Sequence, residues 1–357
     1  MAEIVVNTLT KKYLITIKDG LFTEDSAYKL LQGRKALIIT DYNIDLLYGK
    51  PLLKRLNDLN VDADLYVIPA GEKSKSHNEL LKLYNYFGEA GITRNDYVVA
   101  LGGGVTGDLA GFAASTYLRG INFLQIPTSL LAMVDSSVGG KVAVNLATGK
   151  NLVGSFYHPE AVLIDPTLLK TIPDRHFADG MAEIIKYGCI HDIELFSLLE
   201  NINNRQEVMD NIQDIIFRSC TIKKEIVEKD EREQRLRMVL NFGHTFGHVV
   251  EKCFEYNKYT HGEAVAIGMV TISKLSNRLG ICSEIVVERI KELILKYNLP
   301  TNFPSLKSED VFNVLINDKK ARTNNVNLVL IEDIGKVRIE SFSKERIGEL
   351  IHEMLRD

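Results

Sequence analysis

Tyr97-Val98-Val99-Ala100-Leu101-Gly102-Gly103-Gly104-Val105-Thr106-Gly107-Asp108 is an apolar run that breaks into a glycine-rich turn. The uninterrupted apolar residues suit a strand buried on both faces of a parallel sheet. Gly102, Gly104 and Gly107 satisfy the G-x-G-x-x-G spacing where a helix would open. Glycines there let backbone N–H groups approach a pyrophosphate at the helix N-terminus. Similar runs stand on either side at 36–40, 65–69 and 123–126, and the N-terminal residues alternate apolar and polar like a strand pair. Between them, 78–90 places Leu80, Leu81, Leu83, Tyr84 and Phe87 at helical spacing and stops at Gly91. This alternation predicts an α/β fold with an N-terminal Rossmann-like, doubly wound domain, whose ligands bind beyond the carboxyl ends of the strands. The turn follows the third of these strands, and no acidic ribose partner stands about 20 residues on, so a nucleotide is expected to bind in a non-standard manner. Asp41 and Asn43 after one strand, and Glu72 and Lys75 after the next, are candidates for its ribose and adenine end.

From Asp174 the rhythm changes. Stretches 179–187, 207–227, 245–254, 262–279 and 283–297 carry helical patterning, extended segments follow at 326–332 and 336–340, and 344–355 reads as a last amphipathic helix. The expectation is a Rossmann-like α/β domain over 1–173 and a mostly α-helical domain over 174–357, and 357 residues suffice for two cores. Charged residues make up 25%, and 43 Lys+Arg nearly balance 47 Asp+Glu for a net charge of −4. That balance argues against disorder and against a nucleic-acid-binding polycation. The four cysteines include no C-x-x-C pair, which suggests neither a disulfide framework nor a cysteine zinc site. With neither an export signal nor a membrane span in view, the expected location is the cytoplasm.

Two further groups of residues carry chemistry. Asp135-Ser136-Ser137-Val138-Gly139-Gly140-Lys141, followed by Gly149-Lys150-Asn151, interleaves glycines and hydroxyls with two lysines, a composition suited to anions. Asn241-Phe242-Gly243-His244-Thr245-Phe246-Gly247-His248 puts two histidines on one helix face, with His261-Gly262-Glu263 after it and Glu183 before it. No glutamate stands between His244 and His248, so the H-E-x-x-H peptidase mechanism is not supported. Two histidines and one carboxylate with an open position would suit catalytic Zn²⁺, and the spacing leaves open which two histidines bind. Arg119, Lys186, Lys223, Arg237 and the pair Lys319-Lys320 supply further cations. Lys186, three residues after Glu183, would share its helix face.

Taken in order, Leu101 to Asp108, Val134 to Lys141, Glu183 with Lys186, Leu240 to His248 and His261 to Glu263 closely resemble the 3-dehydroquinate synthase family along nearly the whole chain. The resemblance implies a phosphate-eliminating lyase of the shikimate pathway, with NAD and one divalent metal, zinc or cobalt, as cofactors. It would convert 3-deoxy-D-arabino-heptulosonate 7-phosphate into 3-dehydroquinate. It implies Glu183, His244 and His261 as metal ligands, with His248 left to face substrate. Asp135, Lys141, Lys150, Asn151, Lys186, Lys223, Arg237, Asn241 and one of Lys319 or Lys320 would form the substrate site. Arg119 would join the phosphate-binding cations, in this family across the interface of a homodimer. Implied NAD contacts are Asp41, Asn43, Glu72 and Lys75; Gly103, Gly104, Val105, Thr106, Gly107 and Asp108; and Thr128, Ser129, Lys141, Lys150, Leu168 and Thr171. Ser129 stands where a second Thr is common.

The implied reaction oxidises a metal-bound hydroxyl by hydride transfer to NAD⁺, eliminates phosphate, returns the hydride, opens the ring and closes a carbocycle. A metal-dependent alcohol or glycerol dehydrogenase would not need the Asp135–Lys141 block. A sugar-phosphate cyclase of secondary metabolism acts on substrates without a carboxylate, against which Lys223, Arg237 and Asn241 stand. An NAD-binding module without activity would have no use for the intact Glu183, His244 and His261 set.

Overall fold

The computed structural model describes residues 1–318 and 325–355. The chain forms two compact units, Met1–Pro173 with Ile212–Arg232, and Asp174–Asn211 with Glu233–Asp357.

A seven-stranded sheet forms the centre of the first unit. Its strands are β1 (Ala2–Asn7), β2 (Lys12–Ile17), β3 (Lys35–Asp41), β4 (Asp62–Ile68), β5 (Tyr97–Gly102), β6 (Asn122–Pro127) and, after a separate hairpin of β7 (Lys141–Leu146) and β8 (Gly149–Phe156), β9 (Ala161–Ile164). The order across the sheet is β1-β2-β9-β6-β5-β3-β4, and only β1 and β2 pair antiparallel. β3 and β5 are buried along nearly their whole length, as covered parallel strands are. Taken in chain order, the parallel strands β3, β4, β5, β6 and β9 stand 2-1-3-4-5 across the sheet. The winding therefore reverses between β3 and β5, and ligands belong beyond the carboxyl ends of those two strands. This is why the glycine turn follows the third parallel strand. Thr40 Oγ1 donates to Leu101 O at 2.8 Å and ties the two strand ends together there.

The glycine- and lysine-bearing segment after Gly140, to which the sequence reading gives no secondary structure, is the β7–β8 hairpin, with Val142, Ala143 and Val144 buried. Gly111 in the Gly104–Thr116 helix makes room for it, since a Cβ there would lie 2.5 Å from Val142 Cγ1. The expected helix over 207–227 breaks at Asn211 into Arg205–Asp210 and Ile212–Lys229, and the second piece belongs to the first unit rather than to a helical half over 174–357. Its buried face of Ile215, Ile216, Cys220 and Val227 lies on the first unit, where Cys220 Sγ donates to Met133 O at 3.3 Å. Helical periodicity fixes which face is buried, not which neighbour buries it.

The second unit packs the helices Asp174–Ile190, His244–Cys253 and His261–Arg278 beside a β10 (Asn325–Asp333) and β11 (Lys336–Ser343) hairpin. Glycines set how closely the helices approach. A Cβ on Gly268 would fall 1.9 Å from Gly243 O, and one on Gly262 would fall 2.2 Å from Asp179 O. Among the described residues, no helix is long and apolar enough to cross a membrane.

Candidate active site

In the second unit, the start of the His261–Arg278 helix is fixed three ways. Thr260 and Glu263 form a capping box, Glu263 accepts both Nε and Nη2 of Arg175 at 2.7 and 2.8 Å, and the Gly262 N–H donates to Asp179. Asp179 is one turn before Glu183 on its own helix, so seating Gly262 on it brings His261 against Glu183. The close approach of Gly243 to Gly268 carries His244 to the same point.

Glu183, His244 and His261 converge there, each offering a ligand atom within 4.8 Å of the others. Glu183 Oε1 lies 3.3 Å from Nε2 of both imidazoles. Glu183 is fully buried, its Oε2 pairs with the Lys186 ammonium, and its Oε1 has no hydrogen-bond partner. Burial alone would raise this carboxyl, but Lys186 and the imidazoles outweigh burial and hold it well below the usual carboxylate range. His244 Nδ1 lies 3.1 Å from Phe242 O, a contact that places the proton on Nδ1 and leaves the Nε2 lone pair facing Glu183. Burial also lowers the His244 pKa and favours this neutral form. His261 presents Nε2 to Glu183 and has Glu251 Oε1 3.6 Å from Nδ1. An ionised carboxylate with an orphaned oxygen between two imidazole nitrogens fits a divalent cation with an open position. The geometry brings His244 and His261 to Glu183, whereas the half-buried His248 stands edge-on to His244 at 5.7 Å between ring centroids.

Near the centre, Lys186 is buried with Glu183. The Arg237 guanidinium is buried too, and Asn241 Nδ2 donates to Glu233 at 3.1 Å. Lys319 and Lys320 lie outside the described residues. Glu263, part of the histidine motif, serves as helix cap and Arg175 partner.

In the first unit, Gly103 caps the Gly104–Thr116 helix without a side-chain bond, leaving the backbone N–H groups of its first turn for a ligand. A Cβ on Gly104 would lie 3.2 Å from Ser136 Oγ, and one on Gly103 3.4 Å from Ser129 Oγ, so two hydroxyls line the turn. Thr128 N donates to Gly102 O at 3.0 Å, bringing the end of β6 to the same place. Thr106 is folded beneath Gly102 and buried, so it faces a ligand only through its backbone. Lys75 is buried and bonds both Asp108 and Asn151. Burial raises the Asp108 carboxyl, and Lys75 opposes that rise. Glu72 accepts from Asn145 Nδ2 at 2.7 Å, and Asn145 Oδ1 accepts from Asn151 N at 2.9 Å. Asn145 thus links two candidate groups, yet its place within an apolar stretch gave no sequence signal.

Asp41 caps the turn after β3 by accepting from Asn43 N at 2.8 Å and Ile44 N at 3.3 Å. Tyr48, in the helical segment Asp45–Gly49 that follows, reaches Thr171 Oγ1 at 2.8 Å and Leu168 O at 3.2 Å, so these candidates gather beyond β3. Lys223 Nζ binds Asp135 through Oδ1 at 2.9 Å and O at 2.8 Å. Lys141 is exposed and Lys150 half-buried on the β7–β8 hairpin. Arg119 is different. It is exposed on the Tyr117–Gly120 turn with φ of +68°, past the far end of the 13-residue helix that Gly104 begins, so this chain does not bring it to the glycine turn.

Comparison with known proteins identifies the family. Residues 65–179 match the family model described as 3-dehydroquinate synthase N-terminal, and residues 180–321 the model described as 3-dehydroquinate synthase C-terminal. A Clostridium acetobutylicum protein named 3-dehydroquinate synthase is 52% identical over 336 residues, covering 93% of this chain and 94% of that protein. The structure of 2-epi-5-epi-valiolone synthase from Streptomyces hygroscopicus subsp. jinggangensis 5008, with NAD⁺ and Zn²⁺ bound, matches with a TM-score of 0.89 at 28% identity, covering 99% of both chains. A 2-deoxy-scyllo-inosose synthase complexed with carbaglucose-6-phosphate, NAD⁺ and Co²⁺ matches with a TM-score of 0.88 at 27% identity, covering 99% of this chain and 100% of the other. With both halves matched in order and its folded neighbours among sugar-phosphate cyclases, the chain belongs to the 3-dehydroquinate synthase family.

Proposed function

We propose that this chain converts 3-deoxy-D-arabino-heptulosonate 7-phosphate into 3-dehydroquinate and phosphate, a net carbon–oxygen lyase reaction in the shikimate pathway. The observation that carries this reading is the convergence of Glu183, His244 and His261 in a chain so close to relatives of that name. Glu183, His244 and His261 would hold one divalent cation, zinc or cobalt. The N-terminal turn at Gly103 to Asp108, with Asp41, Glu72, Lys75 and Ser129, would hold NAD. When bound, the cation supplies Lewis acidity to a substrate hydroxyl and the nicotinamide a reversible hydride acceptor, so NAD is not consumed.

The chain's own groups bind and orient the substrate. Lys141, Lys150, Lys223 and Arg237 offer charge-assisted hydrogen bonds to its phosphate and carboxylate. Lys186 and Lys223 are buried, so their charges act with little screening. Asp135 keeps the Lys223 ammonium in place, and Asn241 and Asn151 add directional amide contacts. His248 is the group suited to move a proton or hold the phosphate, being half-buried beside His244 without a place among the ligands. Arg119 acts on the phosphate of a second copy in a homodimer, since its own chain keeps it away from the glycine turn. The setting is cytoplasmic.

Phosphate release from the heptulosonate phosphate, measured with NAD⁺ and Zn²⁺ or Co²⁺ and repeated with a chelator, tests the reading. The expected result is metal-dependent release with no net rise at 340 nm. Steady NADH production from simple polyols with no phosphate released would replace it with a dehydrogenase.

A further inference from the structure

His158 is buried, yet neither the metal centre nor the anion-binding cations use it. Its ring stacks on Tyr13 at 5.5 Å between centroids and 28° between planes. Both rings lie behind the glycine pair that precedes Lys141. The Tyr13 hydroxyl accepts from Gly139 N at 3.3 Å, and a Cβ on Gly140 would fall 2.7 Å from His158 Nδ1. Gly140 has a φ of +68°, so it needs glycine both for its backbone and for the ring against it. Tyr157 N donates to Gly140 O at 2.7 Å and closes the turn from the β8 side.

The far edge of the imidazole meets a carboxylate. His158 Nε2 lies 3.0 Å from Glu231 Oε1, and Glu231 is buried as well. Glu231 also accepts from the Thr10 hydroxyl and, through Oε2, from Leu9 N at 3.0 Å. Burial would raise this carboxyl, but the Thr10, His158 and Leu9 donors outweigh burial and hold it below the usual carboxylate range. A charged acceptor opposite the ring fixes the ring's orientation more firmly than a neutral one would. The segment from Asp135 to Lys141 is therefore gripped at both ends by one stretch of chain. Lys223 binds Asp135, and Glu231, eight residues on, backs Gly140 through His158.

We propose that His158 and Glu231 form a positioning pair that holds the Gly139–Gly140 turn, and with it Lys141, in the geometry that receives the substrate's anionic groups. The proposal rests on the reading in which Lys141 binds the heptulosonate phosphate. Neither residue of the pair touches substrate; both act through the turn.

The test compares His158→Phe, which keeps an aromatic ring but loses the bond to Glu231, with His158→Gln, which keeps an N–H donor toward it. For His158→Phe, the KM for the heptulosonate phosphate should rise about tenfold with kcat within about twofold, the pattern of lost ground-state binding. Amide hydrogen exchange over 139–142 should speed up about tenfold while 98–101 stays unchanged. His158→Gln should restore both to within about twofold. A His158→Phe protein that melts earlier but keeps the wild-type KM and wild-type exchange at 139–142 would reduce the pair to ordinary core and overturn the proposal. Exchange needs no turnover, so wild-type protein that releases no phosphate would refute the proposed reaction while the exchange data still judged the turn.

Discussion

Gly262→Ala tests how the metal centre is built without touching a ligand. A Cβ at this position would lie 2.2 Å from Asp179 O and 2.7 Å from Asp179 Cα, both on the neighbouring helix backbone. Opening the first contact from 2.2 to the 3.4 Å of ordinary packing moves the helices apart by about 1.2 Å. Metal–ligand distances hold to about 0.2 Å, so a shift of this size beside His261 takes its Nε2 out of reach of a cation held by Glu183 and His244. The substitution also disturbs the Gly262 N–H bond to Asp179. The expected result is cation affinity weakened at least about 100-fold, beyond the 10- to 100-fold of a lost supporting contact. Apo-protein stability should fall by about 1–3 kcal/mol, as for overpacked cores. Chelator-competition titration and calorimetry of the metal-free protein give the two numbers. Gly348→Ala is the control, because its Cβ would meet nothing nearer than Phe312 at 3.4 Å. If Gly262→Ala lost stability but bound the cation as wild type does, close seating of Gly262 on Asp179 would not be what brings His261 to Glu183.

Other consequences can be measured directly. His261→Ala should abolish cation binding and phosphate release while leaving circular dichroism unchanged; full activity would remove the ligand assignment. Lys75→Met leaves the Asp108 carboxylate without its counter-charge and Asn151 without a donor. It should lower stability by about 3 kcal/mol, because breaking a buried pair strands a charge, and weaken NADH binding at least about tenfold by fluorescence titration. An unchanged NADH affinity would take Lys75 out of the nucleotide site. Asp96 accepts from Thr93 N and Oγ1, both at 2.7 Å, and from Lys35 N at 2.9 Å. Burial would raise its carboxyl, but these bonds outweigh burial and lower the pKa below 3.8. A lowered folded pKa contributes stability above the unfolded value of 3.8 that is lost as pH falls through the folded one. Asp96→Asn should therefore cost about 1–2 kcal/mol at pH 7, with the difference from wild type shrinking below pH 3.8. A constant difference across the acid range would mean that the charge is irrelevant.

Much of the fold was legible because burial on both faces leaves an unbroken apolar signature. The runs at 36–40, 97–101 and 123–126 are the cores of β3, β5 and β6. Nothing in the sequence marks β9, because four apolar residues between loops do not distinguish a strand inserted between β2 and β6 from a connector. The β7–β8 hairpin carries no clear strand signal, because its glycines and polar residues flank a buried run of only three residues, Val142, Ala143 and Val144. The periodicity of Ile212–Lys229 marks a helix but not the unit it packs in, since a stripe of isoleucines suits any apolar neighbour. In the site, residue types mark a cation-binding cluster and spacing leaves open which two histidines join it, whereas glycine contacts between three helices bring His244 and His261 to Glu183. Arg119 could be flagged as a cation from its charge alone, but its distance from the glycine turn follows from the helix in between.

Lys186 stands beside Glu183 on the same face of one helix. The carboxylate therefore has a positive neighbour as soon as that helix forms, and the polypeptide need not wait for an ion before it collapses. Metal-free protein is therefore expected to fold and then to take up different divalent ions, unlike a zinc finger, whose order depends on its metal.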